Sequence, residues 1–582
     1  MRRVSLTAAI AFAGIALFSA QAGPPTRVFH VAVASDRDAA SPGFAVRQGR
    51  TAGVEDRAPQ VESIRQAELR ADLFFLASDA MRGRLTDTPE NALTAEWIKA
   101  RFERLGLGPA GAGRTYFHPF SLMTTTLGAS NTFALNAGAS APLTFKAMQD
   151  FYPQRFSSSG RVKGPVVFAG YGISAPAQGH DDYRSGTFAG RIVLVLDHEP
   201  GEHDPNSALD DLETSEGSGA LRKALAAQAK GATAILFVAD VHNHPGSDNF
   251  DFAARTVWPD PPPRIPRYAL GRLMEQVRIP AVHISTASAS RLVSHSGRTL
   301  DELARAADAA GGLGALSIGE PEVEVLTTVT RRVVPSRNVL ATIEGSDPAL
   351  KDEWIVICAH YDHEGADGMR IFNGADDDGS GTVGVLEIAE AYALAAREGR
   401  RPRRSVLFAA WNAEEVGLLG AWAYADQPLV RRDRIVAVLN MDMIGRNEEV
   451  RSAGDPRFLG LSVQTAESNR NAVNIVGATR SADMKAAVER ANAGVGLELK
   501  FRYDSSESNL MRRSDHWPFL QHGIPAIWFF TGLHPDYHTP DDRPERINYD
   551  KMERVVRLVY QTSWDLAQRA ERPRFAPRPG RP

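Results

Sequence analysis

Cysteine is almost absent from this sequence, Cys358 being the single example in 582 residues. That excludes an intrachain disulfide in any compartment, and equally a lipid attached to a cysteine near the amino terminus. Cys358 lies in a hydrophobic strand pattern two residues before His360, where a small buried thiol is the expected role. No Asn-x-Ser/Thr triplet occurs, so a glycosylated surface is not indicated. Excess charge of either sign is also missing. The 66 Lys and Arg nearly balance the 70 Asp and Glu, for a net of −4, which gives no electrostatic case for nucleic acid or a membrane surface as partner. Internal repeats are not evident, and long apolar runs are confined to the amino terminus.

That run, Leu6 to Phe18, follows Arg2 and Arg3 and precedes Ala20-Gln21-Ala22. Basic residues, a short apolar stretch and a small-residue site predict a cleaved signal peptide over 1–22, and with it export to a periplasm or the cell exterior, with no membrane attachment after cleavage. The remainder is ordinary for a globular protein, 43% hydrophobic and 23% charged, and long enough for two folded units. Residues 23–60 are rich in Ala, Gly, Pro and Arg without periodicity and read as a weakly ordered lead-in. Leu69, Leu73 and Leu76, then Leu93, Trp97, Ile98, Phe102 and Leu105, recur at helical spacing and predict two amphipathic helices around Gly83, the second ended by Gly106. Short strands and turns over 145–305 predict a smaller β-rich insert. After Asn338, apolar strands alternate with helices, predicting an α/β unit over 61–144 and 306–570, with a mixed, mostly parallel sheet and helices on both faces. Residues 571–582 read as a frayed tail.

Five potential metal ligands stand at or near the ends of these strand patterns. His360 follows the apolar run 354–359, Asp377 lies in Gly374-Ala-Asp-Asp-Asp-Gly-Ser-Gly381, and Glu415 in Trp411-Asn-Ala-Glu-Glu415. Asp442 follows Val438-Leu-Asn-Met441, and His538 lies in Tyr537-His-Thr-Pro-Asp-Asp542. The carboxyl ends of parallel strands face one crevice, so ligands far apart in sequence can meet there. Imidazole suits Zn²⁺, and Asp362, two residues past His360, is placed to accept the other ring N–H and so orient it. One carboxylate can bridge two cations. Of adjacent Glu414 and Glu415, one can bind metal while its neighbour faces the reacting water as general base. Two ions are then accommodated, one by His360, Asp442 and Asp377, the other by Glu415, His538 and the same Asp377. All-N/O ligation favours Zn²⁺, with Co²⁺ or Mn²⁺ also compatible. A rival reading is a calcium loop running from Asp376 to Glu387, but residues 369–374 lack the helical periodicity that such a loop needs before it.

Taken together, these motifs resemble the co-catalytic di-zinc exopeptidases of clan MH, typified by bacterial leucyl aminopeptidases. The resemblance implies two Zn²⁺ ions bridged by Asp377, Glu414 as general base, Glu415 as ligand, and Tyr537 as the group that steadies the oxyanion. It also places Ser514-Asp-His-Trp-Pro-Phe519 on the substrate side. The insert is similar to a protease-associated domain in Gly190-Arg-Ile-Val-Leu-Val and Ala229-Lys-Gly-Ala-Thr-Ala, which implies a position beside the catalytic cleft. The implied function is an exported metallo-aminopeptidase that attacks the first peptide carbonyl of peptide substrates with a metal-activated hydroxide. Alternatives are a carboxypeptidase or dipeptidase on the same scaffold, with Arg502, Arg512 and Arg513 as candidates for a terminal carboxylate; a glutaminyl cyclase, which would use one zinc; and a metal-free binding module. Side-chain preference, set by loops around 446–520, and oligomeric state are not legible.

Overall fold

The computed structural model describes residues 57–136, 141–202, 209, 219–246, 249–309, 311–452 and 454–577. The signal-peptide reading, and the lead-in up to residue 56, lie outside the described residues. Helices α1 (Gln66–Leu76) and α2 (Pro89–Leu105) form where the leucine spacing predicts. Thr88 caps α2, its Oγ1 accepting the Asn91 N–H at 3.3 Å; Pro89 occupies the first turn, and Gly106 ends the helix at φ 76.

Among the described residues two large sheets dominate, one of ten strands and one of eight. The first contains β1 (Phe117–Leu127), β2 (Val329–Ile343), β3 (Trp354–His360), β4 (Ser405–Trp411), β5 (Ile435–Met441), β6 (Ala472–Val476), β7 (Glu498–Lys500) and β8 (Ala526–Phe530). Their order in space is β1-β2-β4-β3-β5-β8-β6-β7. The central neighbours β4, β3, β5 and β8 are parallel, whereas β1 and β2 on one side and β6 on the other pair antiparallel. The sheet is thus mixed, with its parallel part concentrated in the strands that lead to the ligand candidates.

Both faces are covered, which is why the central strands read as unbroken apolar runs. Alternate residues point to opposite sides. Ile355, Ile357, Phe408 and Leu439 pack with Leu73 of α1, Phe102 of α2, Leu386 of α3 (Gly381–Arg397) and Val555 of α4 (Tyr549–Gln568). Val356, Leu407, Val438 and Trp528 pack on the other face with Tyr424, Phe519 and Leu520. Cys358 is buried there, as expected of it.

The pair β1–β2 runs out of the first sheet with Val329 opposite Leu127, and pairing resumes with Leu326 opposite Thr132 in the second. Four strands of the second sheet, Gly160–Phe168, Ile192–Leu196, Ala234–Val238 and Ala281–Ile284, are mutually parallel and share a core of Ile192, Leu194, Leu236 and Val282. Pairing here begins at Thr132 and ends at Thr327, outside the 145–305 bounds read from the sequence. The flanking strands Thr132–Asn136 and Leu316–Thr327 carry Thr, Glu and Asn between their apolar residues, so only their long-range pairing identifies them. The second sheet has its own core, yet the described residues from Ala58 onward form one compact unit. Ala269–Leu270 returns to pair with β1. The described part of the tail is anchored rather than frayed: Arg572 pairs with Glu353 at 2.7 Å, and the Ala576 N–H donates to the Arg480 carbonyl at 2.7 Å. No helix among the described residues is long and apolar enough to cross a membrane.

Arg84, fully buried, locks the loops that follow β3. Its guanidinium donates to the carbonyls of Tyr361 at 3.0 Å, Leu76 at 3.0 Å, Asn373 at 2.6 Å and Gly374 at 2.9 Å. Burial lowers its pKa to about 10, and Asp362, Asp542, Asp377 and Asp378 oppose the loss of its charge. Replacing it leaves buried carbonyls without donors and carboxylates without a cation. Arg84→Leu is expected to cost about 3–5 kcal/mol in urea unfolding; a loss under about 1 kcal/mol would show that the loops hold without it.

Candidate metal centre

His360 is the last residue of β3 and Asp442 the first after β5, so two ligand candidates emerge from neighbouring strands on the same edge. Asp377 comes from the turn Ala375–Ser380 that precedes α3. Gly374 enters that turn at φ 57, where a Cβ would stand 2.2 Å from the Asp377 carbonyl oxygen and 2.4 Å from the His363 ring. Within the turn the three carboxylates separate. Asp376 accepts the Gly445 N–H at 2.6 Å, and Asp378 accepts those of Gly381, His360 and Met443 at 2.9, 3.1 and 3.3 Å. Asp377 lines the cleft, its own N–H held by Asp542 at 3.1 Å. The calcium-loop alternative is excluded by this geometry: Asp376 and Asp378 are engaged by backbone donors, and Glu387 is buried in α3 with Arg101 3.7 Å away.

The five sequence-selected ligands meet in one cluster. His360 Nε2 lies 3.4 Å from Asp377 Oδ1 and 3.8 Å from Asp442 Oδ1, while His538 Nε2 lies 3.0 Å from Asp377 Oδ2 and 3.2 Å from Glu415 Oε2. Asp377 therefore offers one oxygen to each histidine. Glu414 approaches the same point, with Oε2 3.7 Å from His360 Nε2. Tyr537 stacks on His538 with ring centroids 3.9 Å apart, and its hydroxyl accepts a hydrogen bond from Arg513 at 3.2 Å.

Asp362 is present but bonded differently from expectation. His360 Nδ1 is 3.2 Å from the Asp362 carbonyl oxygen and 3.7 Å from its carboxylate. A carbonyl only accepts, so Nδ1 carries the proton and Nε2 faces the cleft as a donor atom. The carboxylate instead accepts the N–H groups of Glu414 at 3.0 Å and Glu415 at 3.3 Å. The role read from sequence is corrected accordingly: the turn at Ala413, with φ 63, points two backbone donors at Asp362 and draws its carboxylate away from the ring.

The sequence reading passed over His363 and Glu364. His363 Nδ1 donates to Glu415 Oε1 at 2.5 Å, and Glu364 Oε1 accepts from His538 Nδ1 at 3.2 Å. Their signal was their adjacency to His360 in the run His360-Tyr-Asp-His-Glu364. Ser514, at the start of the segment assigned to the substrate side, donates to Asp442 Oδ2 at 2.5 Å.

The donor set suits divalent cations. Burial raises the Glu414 carboxyl well above its usual range, with Glu415 and Asp442 adding to the effect. Glu415 is held at about 2: burial and Asp377 push it up, but His538 and His363 outweigh them. Burial disfavours charge on His360 and His538, yet the surrounding carboxylates raise both well above the normal imidazole range. The same carboxylates favour positive charge at the atoms where a cation would supply it, and His360 Nε2 makes no hydrogen bond. Ligand atoms of His360, Asp377 and Asp442 lie within 4.8 Å of one another, as do those of Glu364, Glu415 and His538.

Residues 338–563 match the profile of peptidase family M28. That segment is an M28 peptidase domain. A probable zinc metalloprotease of Leptosphaeria maculans is 29% identical over 41% of this chain and 58% of its own length. A probable glutamate carboxypeptidase of Arabidopsis thaliana is 30% identical over 35% of this chain and 26% of its own. An aminopeptidase of Bacillus subtilis is 27% identical over 38% of this chain and 42% of its own. The chain thus spans about half, or less, of the length of these curated relatives. Among solved structures, an aminopeptidase from Aneurinibacillus sp. strain AM-1 aligns over 88% of this chain and 96% of its own, with 18% identity and a TM-score of 0.44.

One support of the cluster comes from the Pro-rich loop before Ala269. Arg264 binds Glu364 through a 2.8 Å contact to Oε2 and a bond to its carbonyl, with its guanidinium 4.1 Å over the Phe372 ring. Glu364 in turn holds His538, so Arg264 positions a ligand candidate it does not touch. Arg264→Ala is expected to speed zinc loss to a chelator about tenfold, with Lys restoring part of the effect; an unchanged rate would remove Arg264 from the support. Protons and metal compete for His360 and His538, whose pKa values are raised. Zinc affinity should therefore fall as pH drops from about 7.5 to 5.5, by about tenfold per unit for each proton displaced. Chelator competition at several pH values measures this, and a flat profile contradicts it.

Proposed function

We propose that this chain is an exported zinc-dependent aminopeptidase that removes N-terminal residues from peptides. The observation that carries this reading is the apposition of Glu414 to the Asp377, Asp442, Glu415 and His538 cluster in one open pocket. His360, Asp442 and Asp377 would hold one Zn²⁺, and Glu415, His538 and Asp377 a second; His363 would position Glu415. Zinc bound there supplies Lewis acidity, polarising the scissile carbonyl and acidifying water.

Glu414, with its pKa raised by burial, takes a proton from the attacking water and delivers it to the leaving amine nitrogen as the C–N bond breaks. The Tyr537 hydroxyl, beside Arg513, donates to the oxygen that becomes negative. The pocket wall of Met443, Leu510, Trp528 and Leu533 is apolar and favours an apolar first side chain. Export rests on the basic-apolar-small pattern of residues 2–22.

The carboxypeptidase alternative draws on Arg513, which lines the pocket, and on the name of one relative. The other two candidate arginines are engaged elsewhere: Arg502 pairs with buried Glu448, and Arg512 lies 5.4 Å from the Trp517 ring centre. The Arg513 guanidinium already donates to Tyr537, and the carboxylates around it favour a substrate end that carries positive charge. Free, N-acetylated and C-amidated peptides assayed with and without chelator separate the readings. Cleavage of free and amidated peptides, abolished by N-acetylation and by chelator, is expected; cleavage that survives N-acetylation but not amidation would overturn the assignment. Glu414→Gln should retain zinc and lose about 10³-fold in turnover, whereas wild-type rates would remove Glu414 as the base.

A further inference from the structure

The second sheet repeats the arrangement that builds the first centre. Its strands Gly160–Phe168, Ile192–Leu196, Ala234–Val238 and Ala281–Ile284 run parallel, so their carboxyl ends open onto one crevice. The loop after Ile192–Leu196 carries His198 and Glu202, and the loop after Ala234–Val238 carries His244. His198 Nδ1 is 3.3 Å from Glu202 Oε2, His244 Nε2 lies in ion-pair contact with Glu202 Oε1, and the two imidazole centroids are 4.3 Å apart. One donor atom from each of the three lies within 4.8 Å of the others.

Both loops are braced by buried, hydrogen-bonded polar groups. Lys223, 1% exposed, donates to the carbonyls of Leu196 at 2.8 Å and His198 at 2.5 Å. Asp240, 1% exposed, accepts the N–H groups of His242 at 3.0 Å and Asn243 at 3.3 Å and the Tyr171 hydroxyl at 2.6 Å. His198 holds a left-handed backbone at φ 60, a conformation that costs free energy in a non-glycine residue. The geometry points to a second metal site, formed by His198, Glu202 and His244, that takes one first-row divalent cation of zinc type. Two imidazoles and one carboxylate are a zinc donor set, and donors of a tetrahedral ion with bonds of about 2.0–2.1 Å stand about 3.3 Å apart, the His198–Glu202 separation found here. The cation would sit between His198, Glu202 and His244 and cross-link the two loops. The site shares no residue with the cluster on the first sheet, so it does not depend on the proposed peptidase reading.

The test compares the wild-type chain with the His198→Ala/His244→Ala double variant, each saturated with Zn²⁺ and freed of excess. Metal per chain is measured by mass spectrometry, and crystals of the zinc-loaded wild type are examined at the zinc absorption edge. We expect one equivalent less in the variant, unchanged hydrolysis of a peptide substrate, and an anomalous peak between His198 and His244. Equal metal content in the two folded proteins, or a map without that peak, would overturn the proposal. Should the variant fail to fold, the wild-type anomalous map decides alone.

Discussion

Asp377, Glu414, Glu415 and Asp442 converge on two imidazoles in a buried cleft, and like charges so placed repel and lose hydration unless positive charge lies between them. Much of the surrounding structure holds that arrangement against its own repulsion. Asp362 grips the two glutamate N–H groups, Asp542 the N–H groups of Asp376 and Asp377, and Asp378 three more across β3, α3 and the end of β5. Arg84 counters these buried acids from behind while tying the loops through their carbonyls. The same density of negative charge is what makes the cluster a host for dications, and it leaves Glu414 with a raised pKa beside Glu415 with a lowered one. Two carboxylates whose environments drive them apart can divide the tasks of base and ligand.

The second sheet is more than a cover. The ribbon β1–β2 carries pairing from one sheet into the other, and Arg264 reaches back through Glu364 to His538. A displacement of that loop would therefore be felt at a ligand candidate. Both sheets place polar, titratable residues at the carboxyl ends of parallel strands, because backbone there leaves the ladder and side chains from adjacent strands face the same space.

Much of this was legible. The four central strands announced themselves as apolar runs because both their faces are buried, and α1 and α2 as leucine spacings because one face is. The candidate ligands stood out because chemically unusual residues interrupt those runs at their ends. Other features were not legible for definite reasons. Strands β1 and β2 and the flanks of the second sheet mix Thr, Arg and Glu with apolar residues, so their identity rests on partners far along the chain. Glu364 and Asp542 look like ordinary surface acids until the fold sets them against His538 and the Asp377 turn.

By itself, then, the chain determined which residues would be donors, since that follows from side-chain chemistry and from where apolar runs stop. Tertiary structure alone decided which donor faces which. The carbonyl rather than the carboxylate of Asp362 meets His360, His363 joins Glu415, and His198 finds His244. Such choices depend on separations of a few tenths of an ångström between backbone segments distant in sequence, and no local pattern encodes them.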